Sequence, residues 1–201
     1  MAGSSAGIVL AAGSSVRMGE PKQLLPLRGR PLLERVVAAA CGADLEDVVV
    51  VPGADLELIR DRVGWGRARV TVNPDHASGM SSSLRTGLAS LAAGVERAVI
   101  VLGDQLGISS QLLDRLLEVN STSHLPAAAL RVAGVLQPPV VLRRELWDEV
   151  MALSGDVGAR ALLRGRPELV AELTVDGGGL ADIDTPDDWR RYRDSLPASG
   201  S

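Results

Sequence analysis

Phenylalanine is missing from these 201 residues, and the other aromatics amount to one tyrosine and three tryptophans. Proteins that hold single-stranded nucleic acid stack its bases on aromatic platforms, for which this chain has little material. A basic excess is missing too: 21 Lys and Arg against 25 Asp and Glu leave a formal charge of -4 and a pI near 5.2. That balance argues against a nucleic-acid coat or an anionic membrane surface as partner. Any anionic ligand must therefore be gripped by a local site. The single cysteine, Cys41, excludes an intrachain disulfide and a cysteine cluster for zinc. Set in VVAAACGA, it reads as a buried structural thiol in a reducing compartment. No apolar run reaches the ~18 residues of a membrane span. The opening MAGSSAGIVLAAGSS lacks the basic start and long apolar region of a secretory signal. A cytoplasmic protein without nucleic-acid or membrane partners is expected.

What is present in quantity is Val, Leu, Ala and Gly. Short apolar runs recur at Gly7–Leu10, Val48–Val51, Ala68–Val72, Ala98–Leu102, Ala127–Val132 and Val140–Leu142. Runs that are apolar throughout suit strands buried on both faces. Helical patterns lie between and after them: Pro31–Cys41, Leu56–Val63, Met80–Ala93, Ser109–Val119, Arg144–Leu153, Gly158–Arg164 and Pro186–Ser195. Pro31 and Pro186 suit first-turn positions, and Thr185 with Asp188 has the spacing of a capping box. The alternation predicts an α/β fold: three layers, a mostly parallel sheet with helices on both faces, Rossmann-like. No repeat or linker interrupts it. One domain over 1–201 is expected.

Open sheets of this kind bind ligands beyond the carboxyl ends of their strands. The first such segment is LAAGSSVRMGEPKQLL, Leu10 to Leu25. Gly13, Ser14, Ser15 and Gly19 leave backbone N–H groups open to wrap an anion, while Arg17 and Lys22 offer a bidentate fork and a mobile point charge. It is no P-loop, since Lys22 is followed by Gln23, and GxGxxG is absent. From composition alone it reads equally as a phosphate cradle or as a surface loop with two solvated cations. The second segment, NPDHASGMSSSLRTGL (Asn73–Leu88), offers Ser82 and Ser83 at a helix start, as ligand contacts or, for Ser81 and Ser82, as caps. His76 reads as a loop or surface residue. The third follows the run AVIVL: Leu102-Gly103-Asp104-Gln105 places a carboxylate past a buried strand, suited to Mg²⁺ or to capping a turn.

The run Leu10 to Val36 resembles the opening of nucleotidyltransferases related to the molybdenum cofactor guanylyl- and cytidylyltransferases, the MobA/MocA type, where Leu-Ala-(Ala/Gly)-Gly leads through Arg-Met-Gly to a lysine. The resemblance implies a nucleotide-diphospho-sugar transferase type fold, with a nucleotide-binding half at about 6–107 and an acceptor-binding half at about 108–195, and transfer of an NMP from CTP or GTP to a phosphorylated acceptor such as molybdopterin, with pyrophosphate released. It implies that Leu10, Ala11, Ala12, Gly13, Ser14 and Ser15 hold the nucleotide. Arg17 and Lys22 then grip phosphates, Ser82 and Ser83 meet base or ribose, and Asp104 holds Mg²⁺. Within that family LAAG accompanies cytidylyl and LAGG guanylyl transfer, so Ala12 tilts towards CTP. Asp182-Ile183-Asp184-Thr185-Pro186 resembles the family's Asp-Ile-(Asp/Asn)-Thr-Pro element. Alternation across Ile183 sets both carboxylates on one side of an extended segment, and Asp184 is taken as the second metal ligand.

Two features depart from that family. Leu106 stands where a proline usually follows Gly-Asp-Gln, which implies a reshaped loop. Gln137-Pro138-Pro139 stands where Gly-His-Pro precedes a strand, which leaves the acceptor open. Gly155-Asp156-Val157-Gly158-Ala159-Arg160 resembles a Gly-Asp-x-Gly-Ala-Arg element, with Asp156 either capping the helix of Arg160 or touching the acceptor. A sugar-phosphate or isoprenoid-precursor nucleotidyltransferase, or a non-catalytic nucleotide or cofactor binder serving a molybdoenzyme, are the other readings. A monomer or weak homo-oligomer is expected.

Overall fold

The computed structural model describes residues 3–13, 21–176 and 186–195. In chain order the elements are β1 (Ser5–Ala11), β2 (Pro26–Leu27), β3 (Arg30–Pro31), α1 (Leu32–Gly42), β4 (Asp47–Pro52), α2 (Leu56–Ile59), β5 (Arg69–Val70) and α3 (Met80–Ala89). Then come β6 (Arg97–Leu102), α4 (Ser110–Ser123), β7 (Ala127–Val132), β8 (Val135–Arg143), α5 (Trp147–Met151), α6 (Ala159–Leu163), β9 (Val170–Val175) and α7 (Pro186–Ser195). Seven strands form one sheet in the order β5-β4-β1-β6-β8-β7-β9, and β2 with β3 make a separate hairpin. Every adjacent pair in the large sheet is parallel except the two that involve β8.

The apolar runs are buried on both faces, as their lack of alternation predicts. Val9, Ala11, Val48, Val50, Val99 and Val101 pack with Leu33, Val36 and Val37 of α1 and Leu113, Leu116 and Leu117 of α4. Their strand neighbours Ile8, Leu10, Val49, Val51, Ala98 and Ile100 face the other way, with Leu84 and Leu88 of α3, Val150 of α5 and Leu163 of α6. Three layers result. A third cluster, Leu25, Leu27, Leu32, Leu106 and Trp189, joins the small hairpin, the loop after β6 and α7.

Several sequence expectations change in the structure. The run Ala68–Val72 supplies only Arg69–Val70 as a strand, both residues exposed at the sheet edge. The helix expected at Leu56–Val63 is α-helical only to Ile59, and the one expected to Ala93 ends at Ala89, where Ser90 Oγ donates to the Gly87 carbonyl at 2.7 Å. Strand β9 has no continuous apolar run to announce it. Val170, Ala171 and Leu173 are buried while Glu172 and Thr174 stay exposed, the mark of a half-buried edge strand. Cys41 is half-buried, with Sγ 3.9 Å from the Trp65 carbonyl oxygen, and not the fully buried thiol its alanine-rich neighbourhood predicts. Gln137-Pro138-Pro139 lies inside β8, not before it. Pairing with β6 stops at Val140, and the β7 register jumps from Ala129↔Val140 to Leu130↔Gln137, so both prolines fall in a bulge that asks nothing of their missing N–H groups.

Candidate active site

The carboxyl ends of β1, β4 and β6 meet at backbone distance because glycines stand where side chains would keep them apart. Ala11 pairs with Pro52, and the next residue on β4, Gly53, is so close to Ala12 that a Cβ there would lie 3.0 Å from the Ala12 Cα and Cβ. After β6, the Gly103 N–H donates to the Leu10 carbonyl at 2.8 Å. A Cβ on Gly103 would sit 2.9 Å from Leu33 Cδ1 and 3.1 Å from the Leu10 oxygen. Leu10 and Ala11 are buried, Ala12 is half-buried and Gly13 is exposed. The chain thus leaves the sheet at Ala12–Gly13 as bare backbone, the form suited to binding an anion through N–H groups.

Lys22 begins a single 3-10 turn, Lys22–Leu24, and is half-buried. Its neighbour Gln23 is 3% exposed, and the side-chain Nε2 donates to the carbonyls of Ala11 at 3.3 Å and Gly13 at 3.0 Å. This strap ties the turn that carries Lys22 to both ends of the Ala12 bend. It also gives both carbonyl oxygens a donor within the chain. Gln23 Oε1 is buried with no hydrogen-bond partner.

Asp104 follows Gly103 and is half-buried at the same strand ends. Gln105 turns aside from it: its Nε2 donates to the Pro138 carbonyl at 2.5 Å, in the stretch of β8 that the bulge leaves without a ladder partner. Leu106, in place of the family's proline, is fully buried among Leu25, Leu27, Leu32 and Trp189. The departure therefore anchors the loop through side-chain packing.

The middle segment is organised by Asn73. Its N–H reaches the Pro52 carbonyl at 3.4 Å, and its Nδ2 donates to Ser82 Oγ at 2.7 Å and Ser83 Oγ at 2.9 Å. Ser82 Oγ in turn donates to the Gly79 carbonyl at 2.8 Å. Ser82 and Ser83 are 3% and 2% exposed. Sequence reasoning puts their hydroxyls at the nucleotide; the structure gives them an internal partner that fastens α3 to the end of β4. Neither Ser81 nor Ser82 is the N-cap, a position held by Gly79 at φ 96°. Asp156 does not cap the helix of Arg160, since α6 has Gly158 as its N-cap and no side-chain cap. Asp156 Oδ1 instead accepts from the Met80 N–H at 3.3 Å, at the start of α3. A Cβ on Gly79 would come 2.5 Å from the Gly155 carbonyl carbon, so glycine is required at this contact as well as at this φ. His76 is half-buried in a 3-10 turn.

The structure therefore brings Leu10, Ala11, Ala12, Gly13 and Asp104 together at three strand ends, with the Lys22 turn tied to them by Gln23. Ser14, Ser15, Arg17, Asp182, Asp184 and Thr185 lie outside the described residues. Gln23, Asn73, Gln105, Gly53 and Gly103 were not singled out from sequence. Their common signal is an amide or a glycine directly beside a strand-end loop.

Residues 7–172 match the MobA-like NTP transferase domain. The chain belongs to that family. Among its relatives is the nicotine blue oxidoreductase of Paenarthrobacter nicotinovorans, 36% identical over 92% of this chain and 94% of its own. The molybdenum cofactor guanylyltransferase of Rhodobacter capsulatus is 30% identical over 95% of this chain and 96% of its own. The crystal structure of Rv0371c from Mycobacterium tuberculosis H37Rv superposes with a TM-score of 0.85 at 31% identity, covering 97% of this chain and 100% of that one. Rv0371c is also known as a complex with manganese. This MobA-like chain thus has the nucleotidyltransferase fold that its sheet order and strand-end loops express.

Proposed function

We propose that this MobA-like chain transfers CMP from CTP, with GTP as the other candidate, to a phosphorylated acceptor of the molybdopterin class, releasing pyrophosphate. The observation that carries this reading is the glycine-closed junction of β1, β4 and β6, which exposes the Ala12–Gly13 backbone between the Lys22 turn and Asp104. An acceptor phosphate oxygen attacks the α-phosphorus in line with the departing pyrophosphate. A phosphate acceptor is already ionised, so no general base is needed. Backbone N–H groups of the first loop, Lys22 and Arg17 hold the triphosphate and offset charge building on its oxygens. Ala12 supports CTP through the family pattern.

Among the described residues no group of three or more His, Cys, Asp or Glu could cage a metal. Asp104 is a hard oxygen donor past a strand end, which fits Mg²⁺, an ion that takes few protein ligands and completes its shell with phosphate oxygens and water. Asp104 and Asp184 would hold it, and it supplies Lewis-acid stabilisation of the phosphoryl oxygens.

The test is pyrophosphate release from CTP or GTP with Mg²⁺ and molybdopterin. Release with CTP above GTP is expected; none with any nucleotide overturns the reading. One relative is named as an oxidoreductase, which favours one alternative, oxidoreduction of an organic substrate. Redox turnover of such a substrate by the chain, with no nucleotide turnover, would establish it.

A further inference from the structure

A second cleft of about 230 Å³ opens one residue past Asp104, bounded by the β2–β3 hairpin, the first turns of α1, the loop after β6 and α7. Its floor is apolar, from Leu27, Leu32, Val36 and Ile108, and its polar groups are Arg28, Arg35, Gln105 and Tyr192. Among the described residues no carboxylate lies within ion-pair distance of Arg28 or Arg35. Arg35 donates to the Leu27 carbonyl at 3.5 Å, and Glu34 beside it is turned to Arg30 and the Gly64 N–H. Arg28 sits at φ 52°, ahead of Gly29 at φ 79°, in the tight turn of the hairpin. An unbranched cationic residue at that angle costs conformational energy that glycine would not. Gln105 is 8% exposed, and its Oε1 is buried without a hydrogen-bond partner. Burial holds the Tyr192 phenol above the ordinary tyrosine value while Arg35 and Arg28 act against it, which puts both cations within electrostatic reach of the ring.

We propose that this cleft is a binding site for a small organophosphate, held by Arg28 and Arg35 through its phosphate and by the Leu27, Leu32, Val36 and Ile108 floor through an apolar or planar body. Two guanidiniums with no carboxylate partner among the described residues match a phosphomonoester dianion. The site stands whether or not the chain transfers nucleotides, because none of its residues belongs to the strand-end loop of Ala12–Gly13.

Phenyl phosphate is the probe, titrated into the full chain by calorimetry, with inorganic phosphate and phenol alongside. Phenyl phosphate is expected to bind at least tenfold more tightly than either. Arg35→Gln and Arg28→Gly should each weaken it fivefold or more. Arg28→Gly also separates binding from folding, since glycine is at ease at φ 52° and the melting temperature should stay level or rise. Affinity unchanged in both variants, displacement of phenyl phosphate by CTP, or equal affinity for inorganic phosphate would each overturn the proposal. If the two variants raise the KM for molybdopterin and leave that for CTP unchanged, the organophosphate is the acceptor. If they lower phenyl phosphate affinity alone, it is a separate effector.

Discussion

The side-chain amide of Gln23 reaches back ten residues to the carbonyl oxygen of Gly13, at 3.0 Å, and to that of Ala11 at 3.3 Å. Replacing it by alanine leaves a buried carbonyl without its donor, a loss of about 1–3 kcal/mol. Urea unfolding of Gln23→Ala should show a drop in that range. Gln23→Glu should lose more, because one more acceptor then faces two carbonyls. In both variants the stabilisation of the chain by added CTP should shrink, since the bend at Ala12 is no longer held. Full retention of that stabilisation would show that the strap does not shape the loop.

Lys22 is half-buried on the turn that Gln23 anchors, and on the proposed reading it grips the triphosphate. Lys22→Ala should leave the chain folded, with an unchanged circular dichroism spectrum. Turnover in the CTP and molybdopterin assay should fall on the order of 10²-fold or more, the size of effect seen when one preorganised charge donor to a phosphoryl or acyl oxyanion is removed. An unchanged kcat would remove Lys22 from the triphosphate grip.

Gly87 of α3 faces Ile8 at the centre of β1. A Cβ on Gly87 would lie 2.5 Å from Ile8 Cγ2 and 3.3 Å from Val51 Cγ2, and Ile8 is fully buried with nowhere to move. Two effects oppose each other in Gly87→Ala. Helix propensity gains about 1 kcal/mol, and overpacking costs about 1–3 kcal/mol. Because the clash is with a branched side chain in a closed layer, the cost should win, and a fall in melting temperature is expected. A rise would mean that α3 can slide off the sheet.

These glycine contacts mark the limit of what was legible in the sequence. The strands β1, β4 and β6 were readable because a strand buried on both faces has only apolar residues, and GIVL, VVVV and AVIVL contain nothing else. Asp104 was readable because it breaks such a run. Gly53, Gly87 and Gly103 carry no pattern of their own, since what requires a glycine is an atom from another part of the chain. At Ser82 and Ser83 the internal partner was hidden for a related reason: a hydroxyl at a helix start serves a ligand or an internal partner equally well, and Asn73 lies nine residues away from the nearer of them. Strand β9 was invisible because Glu172 and Thr174 break its apolar run.

Glu172 supplies a pH-dependent contribution at that same strand. It pairs with Arg131 of β7, whose guanidinium hydrogen bonds hold the Glu172 carboxyl below the ordinary glutamate value. A carboxyl depressed in the folded state stabilises the fold above its unfolded pKa and loses that contribution as pH falls through the folded one. Stability should therefore decline on the acid side of the ordinary glutamate range, and Glu172→Gln should flatten part of that decline. The pair is about one-third exposed, so the effect should stay below about 1 kcal/mol and shrink in high salt. An acid limb of the same slope in wild type and Glu172→Gln would mean that other carboxylates set it.

On the proposed reading, base preference turns on Ala12, whose methyl lies against Gly53 at the mouth of the β1–β4 junction. Ala12→Gly removes that methyl and frees room where the two strands end, while leaving the backbone donors in place. On the proposed reading, CTP stabilises the wild-type chain more than GTP at equal concentration with Mg²⁺, and Ala12→Gly narrows or inverts the order. A tenfold change in relative affinity moves the difference in stabilisation by about 1.4 kcal/mol at saturating ligand. Gly53→Ala is the companion variant. Its new Cβ would meet the Ala12 backbone at 3.0 Å, so it should push the first loop out of place and weaken all nucleotides together. Selectivity that moves in Ala12→Gly, with affinity lost evenly in Gly53→Ala, would locate the base beside the Ala12 methyl. An identical ranking in wild type and Ala12→Gly would place base recognition elsewhere in the chain.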